Sequence, residues 1–539
     1  MVNLLRRPWW RGFAIALLLI SLGLNSCQSL SPEPHSSQSN HILEFVPKQA
    51  LLAAVVDTTV KPGKTWQKSH LTEVLSQTID SFFTPLAINP RADIRPWLGK
   101  TIAFAITDQD LDRDRDNGRQ TGYLLVTDTT DDEKLREFLE LFWQRQTIAG
   151  SHPVFTEGSS VPIISGTLAQ STQQLATAIV GGSTLLVAND VRVLRQSLRV
   201  AQAPALQISG PDCCTPVWLN LHIPDLIDWL GLATPERQLL SSLQGQQLSA
   251  TTTMKPQQLV INTRLTTLAA ALGPHEFEPA PDKPDPTAVP DIDHSKPQQY
   301  LPASVAWAAM GYDLRPLWTE LRAQIGHYQG LPFPLQQGLQ WPSTQLAQSL
   351  SGPLHQLLSR DYAIGQLNDG TWLMAVTSPN PTVIKQLDSI ATQQGLTVSQ
   401  LTLEDRAVTA WSRLKTRVDK RNRETTVETD LVGIHTKVDD CEVFATSIGG
   451  LTVALAAPAH PLSTTQRFQR TTQSMDKPNQ GYIYGTWSEL DRLLESNRWF
   501  SLVRPIVQPW SQSIEAISIT SYVQTAHQST GTVSVLLKN

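Results

Sequence analysis

A pattern of apolar segments occurs twice along the chain in the same order, with corresponding segments 248 to 269 residues apart. The first copy begins with Pro47 ahead of an apolar run at 52–55, and the second with Pro302 ahead of a run at 307–310. Pro47 and Pro302 are 255 residues apart. Because 539 residues are enough for two or more domains, the spacing predicts two lobes that arose by internal duplication.

Three further pairs of segments match in the same order: 122–142 with 370–390, 176–188 with 445–457, and 217–230 with 482–495. The first and last pairs each combine an apolar strand with an amphipathic helix. In the middle pair we interpret Gly181-Gly182 and Gly449-Gly450 as two-residue turns between strands. Each copy ends in an alternating strand, at 258–265 and at 530–537.

The order of these elements predicts an α+β fold. Hairpins joined by amphipathic helices are typical of a mainly antiparallel sheet with helices packed on one face. Seven prolines interleaved with acidic residues predict an extended linker between the copies at 273–299. The predicted lobes are therefore 42–272 and 300–539, and strand pairing between the two copies is left open.

The first 26 residues have the composition of a cleavable export signal. Three arginines precede an apolar run from Gly12 to Leu24, which is shorter than the ~20 residues that a permanent membrane helix needs. The sequence from Leu24 to Cys27 fits a lipobox, in which the cysteine thiolate takes a diacylglycerol. The polar residues of 27–41 then predict a flexible tether. An ordinary signal peptide with a chance cysteine is the alternative.

Charge narrows the range of partners. Removal of the signal with its three arginines leaves 40 basic residues against 48 acidic ones, a formal net charge of −8. Nucleic-acid binding needs a basic footprint, so this balance argues against it. Charge also gives no attachment to anionic lipid, which leaves the lipid on Cys27 as the predicted anchor. We expect a periplasm-facing envelope protein anchored to the plasma, thylakoid or outer membrane.

Three cysteines remain besides Cys27. Export places Cys213, Cys214 and Cys441 in an oxidising compartment where disulfides persist. A bridge from Cys441 to Cys213 or Cys214, a strained bridge within the adjacent pair, and free thiols are the three alternatives. Their spacing does not match a zinc site.

An acidic loop is the clearest candidate for metal binding. Asp112, Asp114 and Asp116 alternate between predicted strands at 101–107 and 122–127, which approaches the spacing of a calcium loop. Two departures weaken the match: glycine arrives one position late, and Tyr123 occupies the twelfth position. The alternative is the solvated tip of a long hairpin.

A basic run at 413–423 lies between predicted strands at 407–411 and 431–435. It is either a patch for an anionic partner, such as lipid headgroups, or a solvated hairpin extension balanced by nearby acidic residues.

The sequence contains none of the common motifs for nucleophilic catalysis, metal-dependent hydrolysis or phosphate binding. We therefore predict no cofactor and no catalytic residue, and favour a non-catalytic binding or scaffolding role for an envelope protein partner. A carrier of an apolar ligand, such as a lipid or pigment, is one alternative. A hydrolase whose catalytic groups converge from distant positions is another.

The segment from Asp93 to Gly99, which includes Pro96-Trp97, resembles a recurring stretch in a family of exported cyanobacterial proteins known as domain of unknown function 3352. The opening strand after Pro47 is similar too, and the resemblance covers about 45–538. It implies a cyanobacterial envelope location and supplies no activity. We interpret Trp97 as an aromatic plug and Gly99 as a helix or turn terminator.

Overall fold

The computed structural model describes most of the chain, namely residues 41–59, 88–114, 116, 118–156, 161–169, 173–211, 215–230, 246–267, 295–313, 356–357, 359–418, 425–489, 491, 513–522 and 528–538. The chain divides into two compact units, one formed mainly by residues before 280 and the other mainly by later residues. Each unit is described by itself. The signal sequence and the predicted tether as far as residue 40 lie outside the described residues.

The first unit is built on ten antiparallel strands: β1 Leu52–Asp57, β2 Leu98–Asp108, β3 Gly122–Thr129, β4 Val154–Thr156, β5 Ile163–Thr167, β6 Gln174–Val180, β7 Thr184–Ala188, β8 Val217–His222, β9 Gln246–Lys255 and β10 Gln258–Thr267. Their order across the sheet is β4-β5-β6-β7-β3-β2-β1-β8-β9-β10. Most neighbouring strands of the sheet are therefore consecutive in sequence, whereas the pairs β3–β7 and β1–β8 join strands that are distant in sequence.

Its helices are α1 Asp132–Ile148, α2 Val191–Ala201 and α3 Ile223–Leu230, with shorter helical turns at Ile42–Phe45, Pro90–Ile94 and Pro204–Leu206. Aspartates cap the first two helices. The Asp131 carboxylate accepts a hydrogen bond from the Lys134 N–H at 3.1 Å, and Asp190 accepts one from the Arg192 N–H at 2.8 Å. Each carboxylate thereby satisfies a backbone donor that the helix leaves unpaired.

Helices cover both faces of this sheet. Adjacent residues of a strand point to opposite faces. Leu185 of β7 packs with Leu135 of α1, whereas Leu186 packs with Val193 of α2. The prediction of helices on one face was wrong, because strands such as β7 are apolar on both sides and both sides must be covered.

The second unit also has ten antiparallel strands: β11 Val305–Gly311, β12 Tyr362–Leu367, β13 Trp372–Thr377, β14 Thr397–Leu403, β15 Arg406–Val418, β16 Thr425–Val438, β17 Cys441–Ala445, β18 Gly481–Thr486, β19 Ile514–Ser521 and β20 Gln528–Leu537. Their order is β14-β15-β16-β17-β13-β12-β11-β18-β19-β20. Position by position, this is the strand order of the first unit.

Among the described residues of this unit, three helices pack on the second sheet: α4 Pro381–Gln393, α5 Ile448–Ala456 and α6 Gln466–Thr472. Leu387 of α4 packs with Trp372 on one face, and Leu451 of α5 packs with Leu373 on the other. Short helical turns lie at Lys296–Tyr300, Ala457–Ala459 and Leu462–Thr464. Pro297 and Gln298 are buried, so the last residues of the predicted linker pack within this unit.

The glycine pairs of the two units have different structures. Gly181 and Gly182 form the predicted turn between β6 and β7, with φ of 60° and 84°. Gly449 and Gly450 lie in α5, so the turn predicted there was wrong. The Ser447 hydroxyl caps α5 by accepting from the Gly450 N–H at 3.0 Å, which starts a helix where the glycine pair suggested a turn.

Two residues of the segment that carried the family resemblance can now be placed. Trp97 is 4% exposed and stacks at 5.2 Å against Phe138, as expected of an aromatic plug. Gly99 lies within β2 and terminates nothing. A Cβ at this position would lie 2.2 Å from the Asp128 carbonyl oxygen, so the glycine is needed for close backbone approach.

Candidate functional site

One side of helix α6 packs on the second sheet, and the other side carries charged residues. Phe468 packs edge-on against Tyr482 and Tyr484 at 5.8 and 5.4 Å. The Ser518 hydroxyl donates to the Thr471 hydroxyl at 2.7 Å, and both residues are fully buried.

A cleft of about 300 Å³ opens beside α6. Its lining consists mainly of hydrogen-bonding side chains, namely Thr465, Gln466, Arg467, Arg470, Tyr484 and Glu515, together with Ala303. Arg467 Nε donates to Glu515 Oε1 at 2.7 Å, which joins the helix to β19. Tyr484, from β18, is 2% exposed and also contacts the Arg467 guanidinium. Three elements therefore contribute to one polar surface.

The electrostatics of the cleft keep its donors protonated. The hydrogen bond with Glu515 raises the pKa of Arg467 above its ordinary value. Burial raises the pKa of Tyr484, and the Arg467 guanidinium only partly offsets this effect. The tyrosine is therefore a neutral hydroxyl at physiological pH, and two guanidinium groups face one carboxylate in the lining.

The cleft is suited to binding. The described residues of its lining include neither a histidine nor a cysteine. The Thr465 hydroxyl is engaged with the backbone, where it accepts from the Phe468 N–H and donates to the Leu462 carbonyl. Guanidinium and tyrosine hydroxyl groups donate hydrogen bonds in fixed directions. This arrangement can hold an anionic or hydrogen-bonding group.

A second cluster of titratable groups lies inside the same unit. His435 of β16 is 3% exposed, and its Nδ1 lies 2.6 Å from Glu442 Oε1. Its Nε2 lies 3.4 Å from Asp388 Oδ1, which also accepts from Trp411 Nε1 at 2.8 Å. The imidazole packs against both Trp411 and Phe444, with centroid distances of 4.7 and 5.4 Å, and those two rings lie 6.1 Å from each other. Three strands and α4 converge on this ring.

This cluster is a structural charge network. Both imidazole nitrogens face carboxylates, so the ring has no lone pair available to take a proton from a substrate. Burial disfavours the imidazolium, but the hydrogen bonds to Asp388 and Glu442 outweigh that effect and raise the pKa of His435. The charged ring neutralises carboxylates that would otherwise lie in an apolar layer.

The raised pKa of His435 predicts a pH dependence of stability. The unfolded-state pKa is about 6.5, so the histidine contributes its full stabilisation below that pH and loses it as the pH rises through the folded-state pKa. The charged groups that contact its ring are Asp388 of α4 and Glu442 of β17. We expect the difference in unfolding free energy between the wild type and His435→Gln to be constant below about pH 6.5 and to shrink above it. Urea titrations across this range measure it, and a constant difference up to pH 10 would contradict the assignment.

The predicted calcium-loop residues form turns at the β2–β3 tip. The Asp114 N–H donates to Asp112 Oδ1 at 3.1 Å, and the Asp116 N–H donates to Asp114 Oδ1 at 3.0 Å. Two of the three carboxylates thus support the chain's own turns. Within the described part of the chain, no group of three or more His, Cys, Asp or Glu side chains is placed to hold a metal ion.

The predicted cysteine sites lie largely outside the described residues, since Cys27, Cys213 and Cys214 all do. Cys441, at the start of β17, is a buried free thiol. Burial raises its pKa to about 12, so it is protonated at neutral pH and a weak nucleophile. The bridge from Cys441 to Cys213 or Cys214 stays a prediction.

The basic run lies on the long β15–β16 hairpin, whose strands extend well beyond the predicted bounds. In the register of the two strands, Arg413 stands opposite Asp430, and Lys415 opposite Glu428. Opposite charges on directly opposed residues such as Arg413 and Asp430 stabilise a hairpin. Whether the run also serves an anionic partner stays open. Residues 419–424, at the tip, lie outside the described residues.

Sequence reasoning missed both clusters of the second unit. Arg467 and Arg470 are three residues apart, the spacing that places two side chains on one helix face, and this was the available signal. Tyr484 and Glu515 reach the cleft from strands far along the chain, so no local spacing marks them.

Comparison of the chain with solved structures and with curated proteins gives no information about its function. Crystal forms III and IV of TP0453 are each 13% identical with a TM-score of 0.25; the matches cover 45% and 44% of this chain and 83% and 81% of TP0453. Crystal form I is 10% identical with a TM-score of 0.22, covering 45% of this chain and 82% of TP0453. Such scores are too low to support an argument. No curated protein matches the chain.

The sequence model of one family does match. It spans residues 12–538, nearly the whole chain, and therefore includes both sheets and the cleft beside α6. The family carries no assigned activity. The chain belongs to the family described as protein of unknown function (DUF3352).

Proposed function

We propose that this protein is an envelope lipoprotein, held to a membrane by an acylated Cys27, whose folded body binds a ligand or partner without catalysis. The observation that carries the proposal is the order of segments at the N-terminus. A basic stretch, a 13-residue apolar run and the lipobox cysteine precede a polar tether, and Ile42 is the first buried residue that the structure describes. This order is typical of a signal followed by an anchor and a spacer.

In this proposal, the lipid on Cys27 holds the protein to the membrane, and electrostatic attraction to the lipid surface does not. Acyl chains contribute ~0.8 kcal/mol per buried CH₂, so a diacylglycerol with a further acyl group gives stable attachment. None of the helices in the described ranges is long and apolar enough to cross a membrane. The net charge of the mature chain is negative, so lipid on Cys27 is the attachment that the sequence supports.

Replacement of Cys27 tests the anchor. We expect Cys27→Ser to move the protein from the membrane pellet to the soluble fraction, or to leave an unprocessed precursor, because serine lacks the thiolate that takes the lipid. Mass spectrometry of the purified wild type should find acyl mass on residue 27. Cys441→Ser, which changes a buried thiol elsewhere, is the matched control and should stay in the pellet. Wild-type protein without acyl mass would overturn the anchor, and separation of plasma, thylakoid and outer membranes identifies the location.

A non-catalytic role agrees with both clusters of the second unit. The cleft presents hydrogen-bond donors, and the His435 imidazole is fully engaged with carboxylates. The polar lining also favours a polar ligand over the apolar lipid or pigment considered as an alternative.

We also propose that the two units arose by duplication of one ancestral unit. Their ten strands pair in the same order, and equivalent bridges close the start of each unit, Pro47 with Gln207 and Pro302 with Pro461. Two unrelated sheets of ten strands could adopt many other strand orders, so a shared order favours a common origin. Binding surfaces that differ between the copies are therefore later additions to a common plan.

A further inference from the structure

We propose that the first unit rests on an anionic lipid surface through a basic face beside the attachment point of its tether. This face, the α2 surface, consists of Lys48, Arg195, Arg199 and the exposed helical turn Pro204–Leu206. The inference rests on the proposed function and deepens it, because it names the side of the anchored body that is turned towards the membrane.

The parts of the α2 surface are joined by hydrogen bonds. Arg195 and Arg199 are four residues apart on α2 and both are exposed, so they lie on one side of the helix. The Gln207 side chain donates to two carbonyls in the last turn of α2, at 3.2 Å each. The Lys48 N–H donates to the Leu206 carbonyl at 2.7 Å. Lys48 and Leu206 therefore lie beside the C-terminal end of the helix.

The two helical faces of the first sheet differ in charge. All three basic side chains of the α2 surface are exposed. The acidic side chains described next to them are Glu44, which is half-buried, and Asp190, whose charge Arg192 neutralises at 2.8 Å. On the opposite face, α1 carries four acidic and three basic residues. The α2 side is therefore the one that suits an anionic surface.

The basic residues are specific to the unit that carries the tether. Helix α2 follows β7 and α5 follows β17, and these two strands hold the same place in the two sheets. The nine residues of α5 include no charged side chain. Ala303 follows Pro302 where Lys48 follows Pro47. Since the shared fold forms without these charges, stability does not account for them.

The tether enters the body on the α2 side of the sheet. Ile42 and Phe45, which follow the tether, pack with Val193 and Leu194 of α2. Cys27 and Ile42 are 15 residues apart, a length that spans at most ~50 Å when fully extended and about 20 Å as a flexible coil. The α2 side therefore reaches the bilayer with less extension of the tether than the α1 side does.

The lipid anchor and the α2 surface have different roles. Three basic side chains do not hold a body of negative net charge on a membrane, but they select the orientation of a body that the lipid already holds there. Anionic headgroups attract lysine and arginine within about a Debye length of the surface. Leu206, which is 53% exposed, supplies an apolar side chain that the headgroup layer covers.

The test uses the full lipidated chain in vesicles of phosphatidylcholine, or of phosphatidylcholine and phosphatidylglycerol in equal parts. Acetylation of Lys48 and hydroxyl-radical oxidation of Leu206, read by mass spectrometry, report whether the α2 surface is covered. We expect both reactions to be several times slower on the anionic vesicles, and ~1 M salt to remove the difference because it shortens the Debye length to about 3 Å. Lys134 and Ile148 of α1 are exposed and should react equally on both kinds of vesicle.

A double variant tests the charges directly. Arg195→Gln combined with Arg199→Gln removes two of the three charges and keeps good helix-forming side chains. Each basic residue near an anionic surface favours the contact by a factor of about five, so the ratio of covered to uncovered protein should fall about 25-fold. Arg136→Gln combined with Arg145→Gln, at exposed positions of α1, is the matched control and should behave like the wild type. Thermal unfolding in detergent verifies that both double variants are folded.

Two results would overturn the proposal. One is equal reactivity of Lys48 and Leu206 on the two kinds of vesicle, which includes equal protection on both. The other is protection on the anionic vesicles that the double variant of Arg195 and Arg199 retains, because the contact would then not depend on these charges.

The outcomes distinguish this inference from the proposed function. An acylated chain whose α2 surface reacts equally on both kinds of vesicle leaves the lipoprotein proposal standing and removes the orientation. A chain without lipid on Cys27 that adsorbs only to the anionic vesicles, with Lys48 protected, does the reverse.

Discussion

Replacement of His435 by leucine is expected to lower the free energy of unfolding of the second unit by about 3–5 kcal/mol. The leucine fills most of the space that the imidazole occupies beside Trp411 and Phe444, but it cannot carry a positive charge. The Glu442 side chain, 6% exposed, is then left as a buried carboxylate without its partner. Removal of one member of a buried charge network costs more than removal of the whole network, because the remaining charge is uncompensated.

Local stability should be measured, since two units need not unfold together. Hydrogen exchange of the amides in β16 and β17, read by mass spectrometry, reports on the strands that hold His435. The double variant His435→Leu with Glu442→Gln should recover part of the loss, because a neutral amide is less costly to bury. His460→Leu, at an exposed histidine of the same unit, should change stability by less than about 0.5 kcal/mol. A single variant as stable as the wild type would show that the network contributes little.

Substitution of Gly481 by alanine should have an effect of similar size, a loss of roughly 3 kcal/mol or more. Gly481 begins β18 with φ of 134°, a conformation that residues with a Cβ rarely adopt. An added Cβ would lie 2.0 Å from the Met310 carbonyl oxygen of β11 and 2.7 Å from the Gly311 Cα. Because both contacts are with backbone, the strands must separate to relieve them.

Gly449→Ala is the matched control for this prediction. Gly449 lies in α5 with nothing within 4 Å of an added Cβ, so alanine should stabilise the helix by about 0.5–1 kcal/mol. Thermal unfolding of the full chain should therefore move down for one substitution and up for the other. A Gly481→Ala protein that melts at the wild-type temperature would contradict the close approach of β11 and β18.

Much of the strand content was predictable from local patterns. Apolar alternation placed β2, β3, β10 and β20 within a few residues, and the Gly181-Gly182 turn followed from conformational preference alone. The faces of the sheet were not predictable in this way. An apolar run such as Leu185-Leu186 does not reveal from sequence whether helices cover one face of the sheet or both. The packing of the helices in the folded structure determines this.

The functional clusters were hidden for a different reason. His435 and Glu442 meet across one hairpin, but Asp388 joins them from a helix 47 residues earlier in the chain. Tyr484 and Glu515 meet Arg467 from separate strands. Single residues that converge through a sheet leave no recurring spacing in the sequence, so each looks like an ordinary surface charge or core aromatic until the strand order is known.

The place of β1 has a consequence for how the chain reaches its fold. This strand lies between β2 and β8, and Leu52 is opposite Leu221. During synthesis, β2 therefore emerges first, and β8, the second partner of β1, emerges only some 170 residues after Leu52. Pairings so distant in sequence form slowly, because loop-closure entropy is lost before the contact is gained. The first sheet is thus completed late, and the apolar faces of β1 and β2 stay partly uncovered until β8 is available.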